Sequence, residues 1–262
     1  VEALWWHFAL SLWRDRVVRG LILVWLMLFG ALWAVGHLAL VEQKAHAVAL
    51  AAGTGRLLGH LVVCFACYDY FRRSYSSREM ELWWSRPYAR GTLVVGWILT
   101  SMTAALVVAL IIVFPLAIVM PWSGLTGVSD LVQWTVFLGA ELSLMAGIVT
   151  FATLSMPMGL YGIWLALGWY GLGRLGTALE GLSLPYRAWH GISGSVGWVA
   201  SWLVSWVDAM IPDFDQWTST AWLLYGVPVE WSSSKAIMEW LLAVGLLMGA
   251  TWLDVTSRQE RV

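Results

Sequence analysis

Long apolar runs govern what this chain can become. Six stretches, 17–41, 48–71, 91–120, 131–154, 158–176 and 235–253, are apolar almost throughout. Their hydrophobic residues are continuous rather than alternating. Lipid offers no water to backbone N–H and C=O groups, so a spanning segment must be a helix or a strand of a closed barrel. Barrel strands alternate apolar and polar residues, and these runs do not. A helical span needs about 20 residues. The sequence therefore predicts an all-α membrane protein with six transmembrane helices, forming a single domain over residues 1–262.

Composition agrees with lipid as the solvent. The 262 residues are 60% hydrophobic and 12% charged, with a mean hydropathy of +0.73. A soluble domain carries about twice that share of charge. The 21 tryptophans suit the headgroup level, where the indole body is dry and its N–H is wet. A net charge of −1 leaves no basic surface for nucleic acid. The two cysteines, Cys64 and Cys67, make no disulfide framework. Ahead of the first run, Trp5, Phe8, Leu12 and Trp13 share one helical face, and His7, Ser11 and Arg14 another. That pattern predicts an N-terminal helix lying in the interface plane. The first run is too long for the apolar core of a cleavable signal peptide.

Charge sets the expected orientation. Lys and Arg remain on the cytoplasmic side. Arg14, Arg16 and Arg19 precede the first run, Arg72, Arg73, Arg78, Arg86 and Arg90 follow the second, and Arg258 and Arg261 follow the last. With six spans all of these share one side, and both termini are expected in the cytoplasm. The opposite side holds Lys44, Arg174, Arg187 and Lys235, with Arg56 near the outer end of span two. A further Trp-rich apolar stretch, 194–211, is short and broken by Asp208. It is expected to be re-entrant or interfacial, within a long external segment ahead of the last span.

The cytoplasmic loop 72–90 alternates in charge and carries adjacent tryptophans, Trp83 and Trp84. A short helix over 77–84 has serine at its start and Glu79 and Glu81 in its first turns, which suits the helix dipole. Pro87 ends it. Such an element either docks a partner or is an ordinary positive-inside loop. The order Glu81, Trp83, Trp84, Pro87, Arg90, then Gly96 in the next span, resembles the coupling segment of type-2 ABC exporter permeases. Arg78 and Glu79 stand where that family often has Gly-Thr, and Trp97 where it often has Lys. A second likeness is Pro212, Asp213, Phe214 and Gly226 ahead of the last span, similar to that family's Pro–Asn/Asp–Phe element. The likeness extends over the whole chain.

The resemblance implies a non-catalytic permease in a bacterial or archaeal cytoplasmic membrane, paired with a second copy or a related permease. A separate ABC ATPase would bind ATP and Mg and drive export of an unidentified substrate. No Gly-x-x-x-x-Gly-Lys-Ser/Thr loop exists here, and neither lysine follows a glycine, so ATPase activity is expected on the partner chain. The implied ATPase contact is a cytoplasmic coupling helix with Arg78, Glu79, Glu81, Arg86, Pro87 and Arg90. The alternative keeps the fold but transmits ATP-driven motion to extracytoplasmic partners, as in motility or metallocofactor assembly, without a transport path. The long external segment motivates it. A membrane enzyme ranks last, because paired carboxylates and a catalytic triad are lacking. His190-Gly-Ile-Ser-Gly194 is similar to the rhomboid Gly-x-Ser-Gly, but no histidine follows it.

Within the runs, Glu141 falls near the middle of span four, with Arg56 and His60 of span two as candidate partners. Intramembrane carboxylates are costly and usually face the bundle or a cavity. His60, Cys64 and Cys67 lie at i, i+4 and i+7 on one helical face, a ligand set copper or zinc would accept. Buried thiols packed as small apolar groups give the same pattern, and that reading ranks first. No cofactor is expected on this chain. Gly55 and Gly59 point to close helix packing.

Overall fold

A computed structural model describes residues 6–8, 10–11, 14–38, 43–76, 85, 90–123, 128–155, 161–174, 214–218, 223–224 and 232–259. Every regular element among them is helical. We name α1 (Arg16–Leu38), α2 (Gln43–Ser76), α3 (Arg90–Ser123), α4 (Val128–Ser155), α5 (residues 161–174), α6 (Phe214–Trp217) and α7 (Ser232–Gln259). Four are long and apolar enough to cross a membrane, over Ala45–Ser74, Gly91–Ile118, Val128–Ser155 and Ile237–Asp254. Val18–Ala34 within α1 is a shorter apolar helix. The helices outrun the apolar windows. Alpha2, expected over 48–71, continues to Ser76 through Arg72 and Arg73. Their long side chains are exposed, and such stems lie along apolar surface while the charge reaches water.

Contacts fix the helix directions. Trp25 meets Gly55 and Asp15 meets Arg73, so α1 and α2 are antiparallel. Phe71 against Trp97 and Gly59 against Ile112 make α2 and α3 antiparallel. Ser101 with Thr150 and Leu106 with Gly139 do the same for α3 and α4. Alpha5 returns along α4, from Gly162 at Ala152 to Arg174 at Glu141. Alpha7 instead runs parallel to α4, with Trp240 at Ala140, Leu247 at Gly147 and Asp254 at Ser155. The start of α1, the end of α2, the starts of α3 and α5, and the ends of α4 and α7 therefore share one end of the bundle. Exposed Arg14, Arg16, Arg19, Arg72 and Arg73 stand at that end.

Alpha4 is the central helix, buried along most of its length against α2, α3, α5 and α7. Small residues allow the close approach. A Cβ at Gly55 would lie 2.7 Å from Trp25 Cη2, and one at Gly59 2.5 Å from Ile112 Cδ1. The packing role expected for both glycines is thus met. Gly147 does the same on α4, where a Cβ would lie 2.6 Å from Leu247 Cδ2. Alpha7 is peripheral. Met238, Leu242, Leu246 and Leu253 all face outward, as they would toward lipid chains.

The segment before α1 docks on the end of α2. Phe8 is buried, with its ring 4.5 Å from that of Tyr70 and 6.4 Å from that of Phe71. His7, expected on the polar face, pairs its Nδ1 with the Tyr70 hydroxyl at 3.0 Å. Trp6 and Leu10 are exposed on the other side. Trp5, Leu12 and Trp13 lie outside the described residues. Asp15 is the joint. Its backbone N–H closes on Ser11 O at 3.0 Å. Its Oδ1 accepts Val18 N at 3.3 Å, an N-cap for α1. Its Oδ2 takes Arg73 Nη2 at 2.8 Å, and Arg73 also pairs with Asp69 one turn earlier.

Candidate functional site: a charged cluster inside the bundle

Glu141 stands at the middle of the 28-residue α4 and is wholly buried. One guanidinium group and a hydroxyl bind it, and a second guanidinium joins through Thr218. Arg174, at the end of α5, donates from Nη2 to Glu141 Oε1 at 3.0 Å and Oε2 at 3.3 Å. Thr218 Oγ1 donates to Oε2 at 2.7 Å, and Arg174 also reaches that hydroxyl. Arg56 of α2 donates from Nη1 to the Thr218 carbonyl at 2.6 Å and to Oγ1 at 3.2 Å. Glu141 of α4 thus joins α5 and the residue after α6 directly, and α2 joins through Arg56 on Thr218.

His60, also wholly buried, completes the group. Its ring stacks on Tyr170 of α5, with centroids 3.9 Å apart and planes inclined by 29°. Its Nδ1 lies 2.7 Å from the Arg56 carbonyl. A carbonyl only accepts, so Nδ1 carries a proton. The other nitrogen, Nε2, lies 3.5 Å from Glu141 Oε1. In the neutral ring that nitrogen is an acceptor facing an acceptor, and it makes no hydrogen bond. Tyr170 also lies beneath the Arg174 guanidinium, 5.6 Å from ring centroid to Cζ.

The cluster is backed by aromatic packing. Phe214, fully buried, sits 6.0 Å from Tyr170 and 5.3 Å from Trp217 between ring centroids. Trp217 Nε1 donates to Glu239 Oε2 of α7 at 3.2 Å. The next residue of the same helix is Trp240, whose Nε1 donates to Ala140 O at 3.1 Å and Ser143 Oγ at 3.2 Å. Alpha6 is thereby tied to α7 and to the level of Glu141 together.

Of the residues singled out in the sequence, Glu141, Arg56 and His60 come together. The partners that reading missed are Arg174, Tyr170 and Thr218. Arg174 reads in sequence as an external loop charge, because it closes an apolar run. Thr218 carries no sequence signal of its own. Only its neighbour Phe214 belongs to a recognised motif.

Cys64 and Cys67 are free and buried. His60 turns to Glu141 and Tyr170, and among the described residues no three or more His, Cys, Asp or Glu gather where a metal ion would bind. The copper or zinc set of His60, Cys64 and Cys67 has no support from this arrangement. Arg78, Glu79, Glu81, Arg86 and Pro87 of the expected coupling helix lie outside the described residues. Ser85 among them is exposed, and Arg90 opens α3. The stretch 194–211 also lies outside them.

Compared with known proteins, the chain matches no family model and no curated protein. The likeness to exporter permeases rests on the residues quoted from its sequence.

Proposed function

We propose that this chain is the permease subunit of an ABC exporter, with six spans: the four long apolar helices together with α1 and α5. Alpha1, at 23 residues, reaches about 35 Å at 1.5 Å per residue, enough for a bilayer core. One observation carries the reading. Alpha2 ends and α3 begins at the same end of the bundle as the exposed arginines Arg14, Arg16, Arg19, Arg72 and Arg73. By the positive-inside bias that end is cytoplasmic. The segment that resembles a coupling helix is then available to an ATPase, and Glu79, Glu81, Arg78 and Arg86 are its charged contacts. The membrane is a bacterial or archaeal cytoplasmic membrane, and a second permease completes the assembly.

The test is gentle extraction of the tagged chain from its native membrane, with mass spectrometry of what co-purifies. An ATPase bearing a phosphate-binding Gly-rich loop is expected, and it should be lost in the Glu79→Lys/Glu81→Lys variant. Recovery of the chain with no ATPase would end the exporter reading.

The filled core favours a second reading. Trp25, Trp134, Leu138, Leu142 and Met145 are all fully buried. A subunit that passes ATP-driven motion to an extracytoplasmic partner needs such a solid body and no cargo path. On that reading, a crosslink sealing the seam between two permeases leaves function intact. Loss of function with ATP turnover preserved would decide for transport.

A further inference from the structure

The segment 214–218 is anchored inside the bundle from three directions. Phe214 packs on α5, Trp217 bonds α7, and Thr218 enters the charged cluster between α2, α4 and α5. Thr218 ends the helical turn, and its carbonyl points at Arg56 rather than along a helix. A backbone carbonyl brought among spanning helices needs a donor, since lipid supplies none. Arg56 is that donor.

Why charges do this work, rather than leucines, follows from the energetics of buried ion pairs. Their attraction is largely offset by the loss of hydration, so an apolar packing of equal volume holds as well or better. The two differ when the contact opens. Separated leucines meet water at full hydrophobic cost, whereas separated charges regain their hydration. A polar contact is therefore the one that releases readily once water arrives.

We propose that Arg56, Glu141, Arg174 and Thr218 form a reversible polar lock that seats the 214–218 segment in the bundle, and that water entering the cluster releases it. The lock itself does not depend on the exporter reading. In an exporter it is the closure of the outer half of the path, and that role rests on the reading above.

The experiment uses the full chain in nanodiscs, with Cys64→Ala and Cys67→Ala removing the native thiols. Leu223→Cys, at a buried position beyond the lock, reports release through its rate of reaction with a charged maleimide. Ala146→Cys, buried at the centre of α4, reports loosening of the whole bundle. Thr218→Val keeps the side-chain shape and every charge but removes the hydroxyl. It should speed labelling at position 223 about tenfold, as expected for loss of a buried hydrogen-bonding group that holds a local structure closed. Labelling at position 146 should not change. The proposal is overturned if neither Thr218→Val nor Arg56→Gln alters labelling at 223, or if both sites accelerate together. No ATPase or cargo enters this measurement, so its failure leaves the exporter reading standing, and failure to recover an ATPase leaves the lock standing.

Discussion

Glu141→Ala should destabilise the protein by about 3–5 kcal/mol, the size seen when one partner of a buried ion pair is removed. The loss is not the worth of the pair itself. It is the penalty of leaving Arg174, whose side chain is only 13% exposed, with its carboxylate gone and Thr218 without an acceptor. The pair replacement separates the two effects. Glu141→Leu together with Arg174→Leu puts apolar groups on both sides, and it should recover most of the lost stability. Arg56 keeps the Thr218 carbonyl in that variant. Glu141→Gln should fall between, since its amide oxygen still accepts from Thr218. Denaturant-induced unfolding in mixed micelles reads all three. A Glu141→Ala protein as stable as the parent would mean that the carboxylate is hydrated and that the cluster holds nothing together.

The all-helical class was legible because continuous apolar runs favour helices, and the described helices occupy those runs, four of them long and apolar enough to cross a membrane. Helix ends were less legible. Alpha2 continues past its apolar window because a hydrogen-bonded helix does not stop where lipid stops, and Arg72 and Arg73 extend outward from it. Half of the cluster was legible for a comparable reason. A carboxylate in the middle of an apolar run demands a partner, and that made Glu141 conspicuous, with Arg56 and His60 in reach on span two. Arg174 escaped because a charge at the edge of a run is explained equally well by the headgroup region. Thr218 escaped because a neutral hydroxyl in a segment without periodicity gives no sign of burial. What joins them is tertiary: the return of α5 along α4 and the insertion of α6 beside it. The face shared by His60, Cys64 and Cys67 suggested metal chemistry from helical spacing alone. Spacing fixes only which side chains share a side, and His60 stacks on Tyr170 and bonds the Arg56 carbonyl while the thiols stay packed.

Gly55→Ala should be destabilising while Gly53→Ala, two residues earlier in the same helix, should be neutral or stabilising. In a helix interior alanine is better than glycine by about 1 kcal/mol, which acts in favour of both substitutions. The surroundings decide the sign. Nothing lies within 4 Å of a Cβ at Gly53. At Gly55 the same atom would sit 2.7 Å from Trp25 Cη2 and 3.0 Å from both Trp25 Cζ2 and Ile112 Cγ2. Ile112 has side-chain freedom to shift. The Trp25 indole is rigid and fully enclosed, so α1 itself must move, and overpacking of that kind costs about 1–3 kcal/mol. A larger side chain, Gly55→Leu, should detach α1 from α2 and expose the bundle to proteolysis between them. The decisive comparison is Gly55→Ala combined with Trp25→Leu, which opens the space the new methyl needs. If the glycine acts through this contact, the pair is less destabilised than the sum of its single variants, by more than about 0.5 kcal/mol. Strict additivity would place the cost of Gly55→Ala elsewhere than at the α1–α2 seam.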